Sequence, residues 1–208
     1  MLRIDQLRLL PDEPETVLLH KCARLLRVEP SALTGLTVLR RAIDARESLT
    51  FVYTVIVSAP QETALLRRCR DKRVTAYAPE QYALPASVDA PAVRPIVVGA
   101  GPAGLFAALV LAKCGARPIL LERGQCVEQR QRDVQRFWAT GELDTESNVQ
   151  FGEGGAGAFS DGKLNTGTRD VRHRFIMEQL VSCGAPADIL TDALPHVGTD
   201  MLHIALQR

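Results

Sequence analysis

The run Val97-Val98-Gly99-Ala100-Gly101-Pro102-Ala103-Gly104, with Glu122 eighteen residues beyond its last glycine, constrains the fold more than any other stretch. Arg94-Pro95-Ile96-Val97-Val98 is a short β-branched run that ends at glycine, as a buried parallel strand does. Gly99 permits a tight turn out of that strand, Gly101 lets phosphates approach the backbone, and Gly104 lets the next helix pack close to the sheet. Pro102 suits a first helical turn, where its missing N–H costs nothing. Leu105 to Cys114 is apolar and helix-forming, and Gly115 is a C-cap candidate. Pro118-Ile119-Leu120-Leu121 reads as a second strand, with Glu122 at its carboxyl end.

This strand–turn–helix–strand pattern is a dinucleotide-binding fingerprint. The N–H groups and positive dipole end of the helix suit phosphates, and a carboxylate at position 122 suits ribose hydroxyls. A glycine-rich turn in an ordinary α/β domain is the plain alternative. Pro95 to Leu121 is also long and apolar enough to be considered as a membrane span. Four glycines, three prolines, Lys113, Arg117 and the change from strand to helical period argue against a span, so no membrane partner is expected.

The chain has 208 residues, 46% hydrophobic and 24% charged, with net charge +1, which is ordinary globular composition. That length allows one or two domains with real cores. Near-neutral charge exerts no general pull on nucleic acid or anionic lipid. Met1 to Leu10 carries Arg3, Asp5 and Arg8 and lacks the apolar core of a signal peptide. Cys22, Cys69, Cys114, Cys126 and Cys183 include no CxxC pair and are odd in number, which fits reduced thiols in a cytoplasmic protein. Cys126 follows Glu122 closely but has no neighbouring cysteine, so it reads as incidental.

Four prolines between Pro79 and Pro95, at 79, 85, 91 and 95, mark a linker, drawn at 86–93. It separates a small N-terminal α+β domain, 1–85, from a second block, 94–208. In the first, Leu2 to Leu10 alternates imperfectly as a strand, Glu15 to Arg27 has helical spacing, and Ser31 caps a short turn. Val38 to Ala45 reads as a second helix, Leu49 to Ser58 as a strand, Gln61 to Asp71 as a helix and Arg73 to Ala78 as a last strand. Arg40, Arg41, Arg46, Arg67, Arg68, Arg70, Lys72 and Arg73 make this block basic in patches. Solvated faces and ion pairs with Glu47, Glu62 and Asp71 account for them, and no aromatic–basic signature of an RNA module accompanies them. Recognition of RNA or a protein partner stays open as an alternative.

In the second block, Val127 to Thr140 reads as a polar helix with Val134, Phe137 and Trp138 as its apolar face. Arg123, Arg130, Arg132 and Arg136 accompany it, and one of them is a candidate for a dinucleotide phosphate. Next comes Asn148 to Asn165, with six glycines between 152 and 167, too many for a stable helix or strand interior. Its backbone N–H groups suit an anion or an electron-rich ring, and Phe151 and Phe159 favour a packed loop around a ligand over a flexible linker. Asp170 caps a helix from Val171 to Cys183, and Thr199 caps another from Asp200 to Arg208. His173, His196 and His203 have no metal-ligand spacing, and no metal is expected.

Glu122-Arg123-Gly124 after the fingerprint resembles the FAD-binding start of flavoproteins with two dinucleotide-binding domains. Arg132 to Trp138, Glu146 to Gly157, Phe159 to Gly167 and Pro195 to Asp200 resemble a bacterial family of FAD-dependent dehydrogenases. Arg40 to Arg46 and Phe51 to Val55 resemble its appended N-terminal domain. The resemblance implies an α/β architecture, with the small domain followed by an incomplete Rossmann-like FAD-binding domain with a parallel sheet. It implies that Gly99, Gly101, Pro102, Ala103 and Gly104 meet the FAD pyrophosphate, that Glu122 meets the adenosine ribose, and that Gly152, Gly154, Gly155, Ala156 and Gly157 run near the flavin end. Arg123 and Arg130 join this candidate cofactor set. NAD(P)H is the expected electron donor or acceptor, with a small-molecule substrate of unassigned class. An NAD(P)-binding module is the alternative, because Glu122 serves either ribose. Family members are longer than 208 residues, so an N-terminal fragment or truncated gene product is expected, with no nameable catalytic side chain.

Overall fold

A computed structural model of the chain describes residues 1–164, 168 and 170–208. Asn165, Thr166 and Gly167, at the end of the glycine-rich stretch, lie outside the described residues. Two compact units are present: Met1–Glu80 with Leu190–Pro195, and Gln81–Ile189 with His196–Arg208.

The first unit runs β1 (Leu2–Leu9), α1 (Val17–Leu26), a 3-10 turn at Pro30–Ala32, β2 (Thr34–Asp44), β3 (Thr50–Ser58), α2 (Glu62–Arg68) and β4 (Val74–Ala76). The strands lie in the order β2-β3-β1-β4, and every adjacent pair is antiparallel. This is the split βαβ, ferredoxin-like topology. Leu18, Cys22 and Leu26 of α1 and Leu65 of α2 share one core with Leu2, Ile4, Tyr53, Val55 and Val57 of the sheet. Burial pushes the Cys22 thiol up to about 11, so it packs as a small hydrophobe.

The imperfect alternation of the first strand has a local cause. Leu2, Ile4, Leu7 and Leu9 are all buried, which breaks the period of two between positions 4 and 7. Gln6 lies there at φ +60, where the register with β3 shifts. The extra residue is a bulge that returns Leu7 to the core face.

Val38 to Ala45 is not a helix. Val38 to Asp44 belongs to β2, paired with β3 from Thr34 opposite Ser58 to Asp44 opposite Thr50. Thr34, Thr37, Val38 and Ile43 are β-branched, and a ladder this long overrides helical spacing in an uncapped segment.

β2 is an edge strand, and residues 191–193 pair with it at Arg41. The Arg41 N–H donates to the Thr191 carbonyl at 2.7 Å, the Ala193 N–H donates to the Arg41 carbonyl at 2.8 Å, and the Arg41 guanidinium pairs with Asp192 at 2.8 Å. Both side chains are about a third exposed, so Arg41→Ala is expected to lower global stability by no more than about 1 kcal/mol. Amide exchange at Ala193 should accelerate while that of Val55, in the centre of the sheet, stays unchanged. Equal rates at Ala193 in both proteins would show that the ion pair does not hold this strap.

In the second unit the elements are β5 (Ile96–Val98), α3 (Pro102–Lys113), β6 (Ile119–Leu121), α4 (Val127–Thr140), a 3-10 turn at Ala156–Phe159, α5 (Arg172–Ser182) and α6 (Thr199–Gln207). β5 and β6 are parallel, with Ile96, Val97 and Val98 opposite Ile119, Leu120 and Leu121. The connection through α3 makes a βαβ unit. Among the described residues this sheet has two strands, and Ile96 and Val98 are 61% and 83% exposed. The proline- and alanine-rich stretch lies against the end of α3, where the Val88 N–H donates to the Cys114 carbonyl at 2.9 Å. The buried face of α4 is only in part the one expected, since Val134 is buried and Phe137 half-buried. Val127, Arg130, Asp133 and Val134 are buried, whereas Trp138 is 65% exposed. Polar partners supplied by the following loop decide which way the helix faces. Among the described residues, no helix is long and apolar enough to cross a membrane.

Candidate functional site

The turn after β5 is fixed from both sides. Gly99 has φ +98, which L residues rarely adopt, and its N–H donates to the Leu121 carbonyl at 2.6 Å. α3 then starts at Gly101, its N-cap, with Pro102 in its first turn. Gly104 sits so close to the turn that a Cβ built on it would overlap the Gly99 carbonyl oxygen. Gly99 and Gly101 have the opposite surroundings: a Cβ on either would meet no heavy atom within 4 Å. Pro102 and Ala103 are exposed, and no acidic residue stands in the first turn of this 12-residue helix. An open backbone cradle at the N-terminus of a helix with no acid in its first turn fits a diphosphate by shape.

Glu122 ties this turn to two others. Its Oε2 accepts the Ala100 N–H at 2.6 Å, and its Oε1 accepts Gly124 and Gly152 at 3.0 and 3.1 Å. Burial opposes its charge, but N–H donors from Ala100, Gly124, Gly152 and Arg123 outweigh it and hold the carboxyl below its ordinary value. The carboxylate therefore has a structural task besides the ribose contact expected of it.

The glycine-rich stretch is a packed loop laid on that turn. The Gly154 N–H donates to the Ala100 carbonyl at 2.8 Å, and a Cβ on Gly155, at φ +63, would come within 3.1 Å of the Gly101 Cα. Glu153 is anchored at both ends. Its N–H donates to the Gln125 carbonyl at 3.1 Å, and its carboxylate accepts the first N–H of α4, from Val127, at 2.8 Å. Asn148 Oδ1 accepts the Gln150 and Phe151 N–H groups, and the Ser147 hydroxyl donates to buried Asp133 at 2.6 Å. Gly152 and Gly154 are buried, Gly155 is half-buried, and Ala156 and Gly157 are exposed.

The two candidate arginines have other partners than a phosphate. Arg123 is exposed, pairs with Glu146 at 2.6 Å and lies 4.7 Å from the centre of the Phe151 ring. Arg130 is 0% exposed and donates to loop carbonyls rather than facing the open cradle. Phe159 completes the packing beneath the loop, 4.7 Å from the Arg130 guanidinium and 5.1 Å from the His203 ring. His203 Nε2 lies 2.9 Å from the Ala158 carbonyl, so His203 is a structural partner of the loop. The supporting roles of Ala100, Gly124, Gln125, Asn148 and Glu153 were not foreseen. Only Asn148 carried a local signal, an Asx side chain two residues before a turn.

Residues 94–173 match the family described as FAD binding domain, so an FAD-binding domain is present. Residues 1–58 match a domain of unknown function, DUF8436. The chain is 42% identical over 204 residues to a Clostridium beijerinckii protein described as uncharacterized, covering 97% of this chain and 38% of that relative. It thus spans well under half the length of that relative. The FAD-binding match supports flavin binding and gives no support to the NAD(P)-module or RNA-binding alternatives.

Proposed function

We propose that this chain is the FAD-holding part of a flavin-dependent dehydrogenase, with the FAD diphosphate on the Gly99–Gly104 turn. The observation that carries this reading is the contrast among its glycines. Gly104 is closed against backbone, whereas Gly99 and Gly101 face open space at the start of α3. Gly101, Pro102 and Ala103 hold the diphosphate, Glu122 takes the adenosine ribose, and Ala156 and Gly157 flank the flavin end. The bound flavin supplies the hydride or electron chemistry, and the protein's task is to position it. NAD(P)H serves as donor or acceptor, the substrate is a small molecule, and the setting is the cytoplasm, where all five cysteines stay free thiols.

The test is to purify this chain and the Clostridium beijerinckii relative, record visible absorbance and identify the nucleotide released on denaturation. A yellow relative that releases FAD is expected. Added FAD should bind this chain at least about tenfold more weakly, because exposed Ile96 and Val98 leave the two-strand support unpacked. Trp138, the sole tryptophan, reports binding through energy transfer to the flavin. Release of NAD from both proteins would overturn the reading. Equal FAD affinity would overturn the argument from the exposed sheet.

A further inference from the structure

Among the described residues Arg130 is the largest fully buried side chain, and the proposed chemistry gives it nothing to do. We propose that it is the positioning residue of the cofactor site: its guanidinium gathers the loop carbonyls and so fixes the loop that lies on the Gly99–Gly104 turn. This rests on the FAD reading and deepens it.

Nε donates to the Asn148 carbonyl at 2.9 Å and Nη2 to Val149 at 2.9 Å. Nη1 donates to Glu153 at 2.6 Å, to Gly155 at 2.8 Å and, more weakly, to Gly152 at 3.3 Å. These hydrogen bonds thus go to five main-chain carbonyls within an eight-residue stretch, Asn148 to Gly155.

A buried cation with dipoles for partners is a poor way to stabilise a core, and an apolar side chain of that volume would serve packing better. The loop supplies the reason for the cation. Gly152, Gly154 and Gly155 have φ of +125, +85 and +63, so this backbone has little intrinsic preference for its shape. A planar fork with five N–H donors in fixed directions imposes one. Lysine cannot copy it, because an ammonium is a single point with three donors.

That shape reaches the site by direct contact. Gly152 donates to Glu122, Gly154 donates to the Ala100 carbonyl, and Gly155 lies against Gly101 and Pro102. Two carbonyls that Arg130 holds belong to Gly152 and Gly155, and a third to Glu153 between them. Moving the guanidinium moves the residues that set how closely the loop approaches the start of α3. Arg130 touches no ligand in this scheme and acts through the loop.

The experiment uses the whole chain with Arg130→Ala, Arg130→Met and Arg130→Lys. Two readouts are taken: amide exchange of residues 152–159 without ligand, and FAD affinity from Trp138 quenching. Exchange at Met177, buried in α5 of the same unit, checks that each variant is folded. In all three variants, loop exchange should rise and FAD affinity fall, each by at least about tenfold. Millimolar guanidinium chloride should restore both in Arg130→Ala, whereas potassium chloride at the same ionic strength should not. Full recovery in Arg130→Lys would overturn the fork argument and leave charge alone as the cause. Unchanged loop exchange in a folded Arg130→Ala, or no guanidinium rescue, would overturn the positioning role. Wild-type protein whose loop responds as stated but binds no FAD would sink the FAD reading and the ligand half of this proposal with it.

Discussion

Gly104→Ala is expected to destabilise the second unit by about 3 kcal/mol and to abolish measurable FAD binding, the stability loss lying at the upper end of the range for overpacking. The added Cβ would overlap the Gly99 carbonyl oxygen, which is backbone and cannot rotate away. Gly99 itself is held at φ +98 and bonded through its N–H to Leu121, so relief requires opening the turn or moving α3 off the sheet. Gly101→Ala is the matched control. Gly101 has φ −73, which alanine adopts freely, and open space where a Cβ would stand. It should lose about 1 kcal/mol or less, the difference between glycine and alanine as N-cap. Its FAD affinity should still fall at least about tenfold, because the proposed diphosphate lies over that backbone. Urea unfolding and FAD titration of both variants check the pair. Wild-type affinity in Gly101→Ala would remove the diphosphate from this turn, and wild-type stability in Gly104→Ala would refute the close contact.

Glu122→Gln should be the next most damaging change to the site. One carboxylate holds Ala100, Gly124 and Gly152, and an amide replaces one acceptor oxygen with a donor that faces N–H groups. A loss of about 1.5 to 3 kcal/mol is expected, the worth of one hydrogen bond to a charged acceptor. The folded carboxyl lies below its ordinary value of 4.5, so its contribution is complete above about pH 4.5 and is lost as pH falls through the folded value. Stability of the second unit followed from pH 7 to pH 3 should therefore be flat and then decline in the wild type. The part of that decline owed to Glu122 should vanish in Glu122→Gln. Parallel wild-type and mutant curves across the acid range would show that this carboxylate is not a stabilising acceptor.

The fingerprint was legible because its parts are local. Strand, turn, helix start and second strand follow within about thirty residues, and each glycine has a distinct steric demand. Val38 to Ala45 misled for a related reason. Its spacing suits a helix, and only the partner strand β3 turns it into β2. The imperfect alternation of β1 was visible, but its cause, a bulge at Gln6, appears only in the register with β3. Arg130 stood among four arginines as a candidate for a dinucleotide phosphate, and the structure has it donating to loop carbonyls. A basic residue near a dinucleotide motif suggests phosphate, whereas five carbonyls converging from the next loop leave no mark in the sequence. The pairing of residues 191–193 with Arg41 is of the same kind, joining positions about 150 apart in the chain.

The sequence by itself determined the turn between β5 and α3, since a φ of +98, a missing Cβ and a helix start are properties of residue types at fixed spacing. The tertiary structure alone decided what holds that turn in place: Glu122 reaching Gly152, Gly154 reaching Ala100, and Arg130 drawing the loop together. The reason is chemical. Every residue carries a backbone N–H or a carbonyl, or both, so nothing in a string of side chains says which of them a buried carboxylate or guanidinium will meet once the chain has folded.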